Sequence, residues 1–147
     1  MKSALTALSL VIVACVGVVT ETSLQCADCR VVNVDRVVDG DTLYTTRDRV
    51  VRLFGVDTPE RGERCASKAS QRLRKLAGGK VRLEDGPRLT DRFGRVLAYV
   101  YTVDGLSIDE ILIREGLATA WSVDGQHRDY LVGLEKETKE RGAGCLW

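Results

Sequence analysis

The sequence predicts a closed five-stranded β-barrel carrying three α-helices, on three observations. The first is the order of patterns: three β-branched runs, a helical run, two more strand-like runs and two helical runs, with no repeat and no low-complexity linker. The second is size, because a sheet this small leaves edges and an apolar face that must be closed or covered. The third is composition. The 147 residues, 44% hydrophobic and 29% charged, supply one core and exclude a disordered chain.

Residues 31–38 read Val-Val-Asn-Val-Asp-Arg-Val-Val and run into the turn signal Asp39-Gly40. Residues 42–46 and 50–56 are two further β-branched runs, separated by Arg47-Asp48-Arg49, so the three form a meander. After Pro59 the period changes: Ala66, Ala69, Leu73 and Leu76 recur at helical spacing until Gly78-Gly79. Residues 80–84 and 95–102 return to strand character, with a polar loop between them. Ser107 and Glu110 predict a capping box that opens a helix over 108–115, which Gly116 terminates. A last helix over about 127–141 carries Tyr130, Leu131, Leu134 and Thr138 on one face. These elements make one domain over residues 31–147.

Ahead of them, Lys2 precedes an apolar run over residues 4–19. Its roughly 16 residues fall short of the roughly 20 needed to span a membrane, and a polar stretch follows, so residues 1–22 read as an export signal. Ile12-Val13-Ala14-Cys15 also resembles a lipoprotein box. The expected location is therefore secreted or periplasmic, with a lipid anchor through Cys15 as the alternative and membrane contact only in that case. In an oxidising compartment Cys26, Cys29, Cys65 and Cys145 read as disulfides. Of the three connectivities that four cysteines allow, Cys26 with Cys29 and Cys65 with Cys145 is favoured, because the first two are near neighbours and the others close a long loop. In the competing metal reading, Cys26-x-x-Cys29 is only half of a zinc site.

Charge narrows the function. Lys and Arg number 22 against 21 Asp and Glu, a net +1, which excludes a protein that holds nucleic acid or anionic membrane by bulk charge. The total hides an asymmetry: residues 65–100 carry nine basic and three acidic side chains, residues 101–147 five and nine. Arg72, Arg74 and Lys75 within the basic stretch read as the solvated face of a helix.

Chemistry concentrates at strand ends. Asp41, Asp57 and Glu60 stand there, with Arg52 inside the apolar run Val50-Val51-Arg52-Leu53-Phe54. An inward arginine needs a partner, and Asp41 or Glu60 could pair with it. A second arginine sits in Asp91-Arg92-Phe93-Gly94-Arg95, entering the next strand. Hard carboxylate oxygens suit Ca²⁺ or Mg²⁺, and the lack of a histidine cluster argues against a catalytic transition metal. Asp39 reads as a turn former, Thr42 as its support, and His127, the sole histidine, as a solvated polar residue.

Together the motifs Val38-Asp39-Gly40-Asp41-Thr42, Arg52-Leu53, Val56-Asp57-Thr58-Pro59-Glu60, Thr90-Asp91-Arg92-Phe93-Gly94-Arg95, Leu97-Ala98-Tyr99-Val100-Tyr101, Gly116-Leu117-Ala118 and Leu146-Trp147 resemble the staphylococcal-nuclease-like (thermonuclease) family. The resemblance implies an OB-fold barrel and Ca²⁺-dependent hydrolysis of DNA and RNA phosphodiesters. It implies Asp41, Asp57 and the main-chain carbonyl of Thr58 as Ca²⁺ ligands, Arg52 and Arg95 as clamps on the scissile phosphate, and Glu60 as the base or orienter of the attacking water. Alanine at Arg52, Arg95 or Glu60 is then expected to cripple turnover and spare the fold. Arg92 and Phe93 would contact substrate, in place of the family's lysine and tyrosine. Trp121 stands near where the family has nucleotide-contacting tyrosines and reads as a stacking surface or as core. The implied partner is DNA or RNA, with no stable protein partner and a monomeric enzyme. The alternative is a catalytically silent OB-fold module that only binds nucleic acid.

Overall fold

The computed structural model describes residues 21–47 and 49–147; the apolar run over residues 4–19, with Cys15, lies outside them. The strands are β1 (Arg30–Val37), β2 (Thr42–Thr45), β3 (Val50–Leu53), β4 (Val56–Asp57), β5 (Lys80–Thr90), β6 (Val96–Thr102) and β7 (Thr119–Ala120), and the helices are α1 (Ala66–Ala77), α2 (Ile108–Arg114) and α3 (Arg128–Glu140). The predicted five-stranded barrel closes in the order β1-β2-β3-β6-β5. Every pairing is antiparallel except β3 with β6, where Arg52 stands opposite Leu97. Leu43, Val51, Leu53, Val81, Ala98 and Val100, each at most 1% exposed, fill the barrel. Each such aliphatic side chain contributes about 1.5–3 kcal/mol by leaving water.

The run over 50–56 is not one strand. It turns at Phe54-Gly55, and its last two residues leave the barrel to pair with β7, an element too short to show a period. The cause is tertiary. A Cβ on Gly55 would stand 2.6 Å from Leu131 Cδ1 and 2.8 Å from Asp109 Oδ1, so only glycine lets the turn lie on α2 and α3. Asp109, fully buried, fastens it by accepting hydrogen bonds from Gly55 N at 2.8 Å and Val100 N at 3.0 Å. β5 also runs on to Thr90, with a shift of register after Asp85, where the sequence suggests a loop.

Three local expectations change. The capping box forms by half: Ser107 Oγ accepts from Glu110 N at 3.1 Å, but the buried Glu110 carboxylate accepts from Ser23 N and Leu24 N at 3.0 and 2.8 Å, and from Arg114 and Tyr130. It thereby straps the segment before β1 onto α2. Arg72 does not merely solvate α1, since its guanidinium forks onto Glu115 at 2.6 and 2.7 Å and ties α1 to the end of α2. His127 is not a solvated residue either; its Nε2 lies 3.0 Å from Glu84 Oε2, beside Tyr99. Tyr101 and Gln126 donate to the same carboxylate. Burial alone would raise the Glu84 carboxyl, but these bonds together hold it below its ordinary range. Both favoured disulfides are present, Cys26–Cys29 and Cys65–Cys145, and the second joins the start of α1 to the C-terminal tail.

Candidate active site

Asp39 and Gly40 shape the turn that presents Asp41. Asp39 Oδ1 accepts from Asp41 N at 3.1 Å, the Asx-turn chemistry that the sequence suggests. A Cβ on Gly40 would lie 2.6 Å from Thr58 Oγ1 and 2.7 Å from Ala69 Cβ, so the turn packs directly on the β4 exit and α1. Asp41, 7% exposed, then accepts through Oδ2 from both Thr58 N and Thr58 Oγ1 at 2.9 Å, and through Oδ1 from Thr42 Oγ1 at 3.0 Å. Thr42 thus has a supporting role, and Thr58 acts on Asp41 with its hydroxyl as well as its main chain.

Arg52 is the inward arginine, and its partners are four. Nε lies 3.2 Å from Asp41 Oδ1, Nη2 donates to Asp57 Oδ1 at 2.6 Å, and Nη1 donates to the carbonyls of Val56, at 2.6 Å, and Leu53. Of the two ion-pair candidates, Asp41 is used and Glu60 is not; Asp57 takes the second place. The guanidinium spans the turn at Phe54-Gly55, so the break in the strand is what lets one side chain meet both flanks. Burial, with the charge of Asp41 added, raises the Asp57 carboxyl despite the pull of Arg52. Two carboxylates held this close, with hard oxygens, are donors that a divalent cation fits, although the described residues hold no cluster of three acidic, histidine or cysteine ligands.

Arg95 comes from a different device. Gly94, at φ +78°, closes a turn in which Asp91 Oδ1 accepts from Phe93 N at 2.9 Å and Arg95 N at 3.0 Å, while its Oδ2 accepts from Arg95 Nε at 2.6 Å. Burial would raise Asp91; the bonds from Arg95 and from the main chain hold it low instead. Arg52, Arg92, Phe93 and Arg95 line one cleft of about 350 Å³, walled by Trp121 and Phe54. Phe93 is 69% exposed, with the Arg92 and Arg95 guanidinium carbons 4.7 and 5.6 Å from its ring centre. Trp121 is half-buried, packed on the core and lining the cleft at once. Asp124 holds it there, accepting from its Nε1 at 2.8 Å and from Arg88 Nε at 2.5 Å.

The matching sequence model, that of the staphylococcal nuclease homologues, covers residues 50–147, from Arg52 through Arg95 to the C-terminal tail. The chain belongs to this family. Relatives of this chain include endonuclease YncB of Bacillus subtilis (strain 168), 44% identical over 74% of this chain, and the SPbeta prophage-derived endonuclease YokF of the same organism, 39% identical over 74%. The chain spans 56% and 40% of these two relatives' lengths. It is also 35% identical, over its whole length and 88% of the relative, to micrococcal nuclease of Shigella flexneri.

Of the residues singled out in the family resemblance, the structure gathers Asp41, Asp57 and Thr58 around Arg52, and places Arg92, Phe93 and Arg95 with Arg52 on the cleft. It does not bring Glu60 there. Glu60 is exposed on the loop before α1, where its N–H donates to Glu63 Oε2 at 2.8 Å and its carboxylate forms no ion pair among the described residues. Three positioning groups escape sequence reasoning: Asp109, Arg88 and Asp124. Asp91 had a legible signal, an Asp three residues before Gly and four before Arg.

Proposed function

We propose that this chain is an exported Ca²⁺-dependent nuclease that hydrolyses DNA or RNA phosphodiesters. The observation that carries the reading is the convergence of Arg52 and Arg95 on one cleft whose floor adjoins the Asp41–Asp57 carboxylates. Asp41, Asp57 and the Thr58 carbonyl are the residues that would hold Ca²⁺, which when bound would offset charge on the phosphate. Arg52 is ion-paired to Asp41 and Asp57, so a bound ion would share these carboxylates with the guanidinium.

Attack of water on phosphorus increases charge on the phosphoryl oxygens. Planar guanidinium forks, already oriented, bind that charge more tightly in the transition state than in the ground state. Arg52 is fixed by its carbonyl partners and Arg95 by Asp91, so neither has far to move. Glu60 is the proposed acceptor of the water proton; with no ion pair among the described residues, its carboxylate is open to that role, and substrate must bring the water to it. Arg92 and Phe93 offer a cation and a ring face to the strand, and the Trp121 wall offers a surface for base stacking. Disulfides in both ends of the domain support export to an oxidising compartment, secreted or periplasmic, or anchored there through Cys15.

Denatured DNA incubated with the purified chain tests the reading. Acid-soluble product is expected with Ca²⁺ and none with EDTA, and Glu60→Gln is expected to slow release by about 10²-fold or more without altering the melting temperature. A folded chain that binds the DNA but yields no Ca²⁺-dependent product would instead be a silent binding module.

A further inference from the structure

The barrel has a second concavity, of about 740 Å³. It opens where β3 and β6 begin, at Val51 and Val96, and shares no lining residue with the cleft. Its charged lining is all basic, namely Arg30, Arg47, Arg49 and Lys80, and no carboxylate joins it among the described residues. Arg47, Arg49 and Lys80 have no carboxylate within 4.0 Å among the described residues, and Arg30 only reaches Asp85 at 4.0 Å.

Thr45 N donates to Arg49 O at 2.9 Å and Thr46 N to Asn33 O at 3.1 Å, which ties Arg49 to the end of β2 and Thr46 to β1. Like charges gathered round a hollow repel one another and cost stability unless an anion serves them. A cation on an open face, such as Arg74 on α1, dissipates its field in water; a concave basic lining focuses it. Between the cations stand the exposed Val31 and the half-buried Val32 and Val96, an apolar surface that suits sugar and base faces between phosphates.

We infer that this groove is a second binding site for single-stranded nucleic acid, holding the part of a long strand that lies outside the catalytic cleft. The inference rests on the nuclease reading for its ligand class. Because OB-fold proteins cover about 4–16 nucleotides, a strand running past the start of β3 and β6, where Val96 of the groove adjoins Arg95 and Leu97 of the cleft, engages both concavities, while a dinucleotide fills only one. The groove therefore sets the preference for long over short substrates and adds to the salt dependence of binding.

The test is the full chain carrying Arg47→Gln, Arg49→Gln and Lys80→Gln together. On a chromogenic dinucleotide-length phosphodiester its kcat/KM is expected to match the parent. On a 30-nucleotide single strand KM is expected to rise about tenfold, and the slope of log affinity against log salt to shrink by about 2, as loss of three phosphate contacts requires. Anisotropy of a labelled strand in the Glu60→Gln background reads that slope without turnover. Arg47→Lys with Arg49→Lys is expected to restore the slope, which separates lost charge from a damaged turn. Unchanged KM and slope, or an equal loss on both substrates, overturns the groove. If the parent cleaves neither substrate, the nuclease reading fails, while the anisotropy comparison still decides the groove.

Discussion

Arg52 and Arg95 line the same cleft but are held by different means. Arg52 has a side chain only 12% exposed, with Asp41 and Asp57 as ion partners and two carbonyls completing its fork. Arg95 is 33% exposed and has one carboxylate partner, Asp91, four residues earlier in its own turn. One arginine is part of the tertiary frame and the other is mounted on a local loop. The difference teaches that two cations can reach one cleft with unequal consequences for stability: truncating Arg52 strands Asp41 and unties Asp57 from the frame, whereas truncating Arg95 leaves Asp91, itself only 13% exposed, with the main-chain donors of Phe93 and Arg95.

The largest effect is therefore expected from Arg52→Ala. It leaves the buried Asp41 without its cation and the turn at Gly55 without its brace, costing about 3 kcal/mol and lowering the melting temperature by about 10 °C, besides abolishing turnover. Arg95→Ala is expected to lose about 10²-fold or more in rate with under about 1 kcal/mol of stability. Thermal melts of the two variants, run beside the DNA assay, check this. The family resemblance alone treats the two arginines as equivalent, both sparing the fold; the burial of Arg52 separates them. Equal melting temperatures would show that the framing role of Arg52 is wrong.

What the sequence discloses follows from range. Barrel strands are legible because alternation and β-branching are local, and so is the Asp91–Arg95 turn. Arg52 is conspicuous as a charge in an apolar run, and Asp41 and Asp57 as carboxylates at strand ends. The break at Gly55 is not legible, because what requires it is Leu131 and Asp109, distant in the chain. Arg88 and Asp124, 36 residues apart, look like ordinary surface charges until the fold joins them under Trp121. The partners of a residue are hidden to the degree that they are remote.

Asp109 extends the comparison to the layer beneath Arg52. Asp109→Ala removes the acceptor of two buried N–H groups, at Gly55 and Val100, and is expected to cost about 2–3 kcal/mol, visible in denaturant melts. Its pH behaviour runs opposite to that of Asp91. Burial raises Asp109 from 3.8 to about 6, so the folded state binds its proton more tightly than the unfolded chain does. The stability this proton contributes is full below about pH 4 and lost as pH rises through about 6. Asp91 is held low, and its contribution is lost as pH falls. The melting-temperature difference between the parent and Asp109→Asn should accordingly move in the parent's favour from pH 7 to pH 4. A flat difference would show that Asp109 is not held protonated by burial.

The smallest expected effect lies at the outer edge of the cleft, where Phe93 stands exposed between Arg92 and Arg95. A cation over an exposed ring is worth about 0.5–1 kcal/mol. Phe93 supports no core, and Arg95 keeps its Asp91 anchor without it. Phe93→Ala should leave the melting temperature within about 1 °C and raise KM for a single strand about two- to fivefold, with kcat little changed. Phe93→Tyr keeps the ring and adds a hydroxyl donor toward phosphate, so it should bind as well as the parent or better. If Phe93→Ala instead lowered kcat as steeply as Arg95→Ala, the ring would be fixing the guanidinium itself, and the local mounting of Arg95 would depend on more than Asp91.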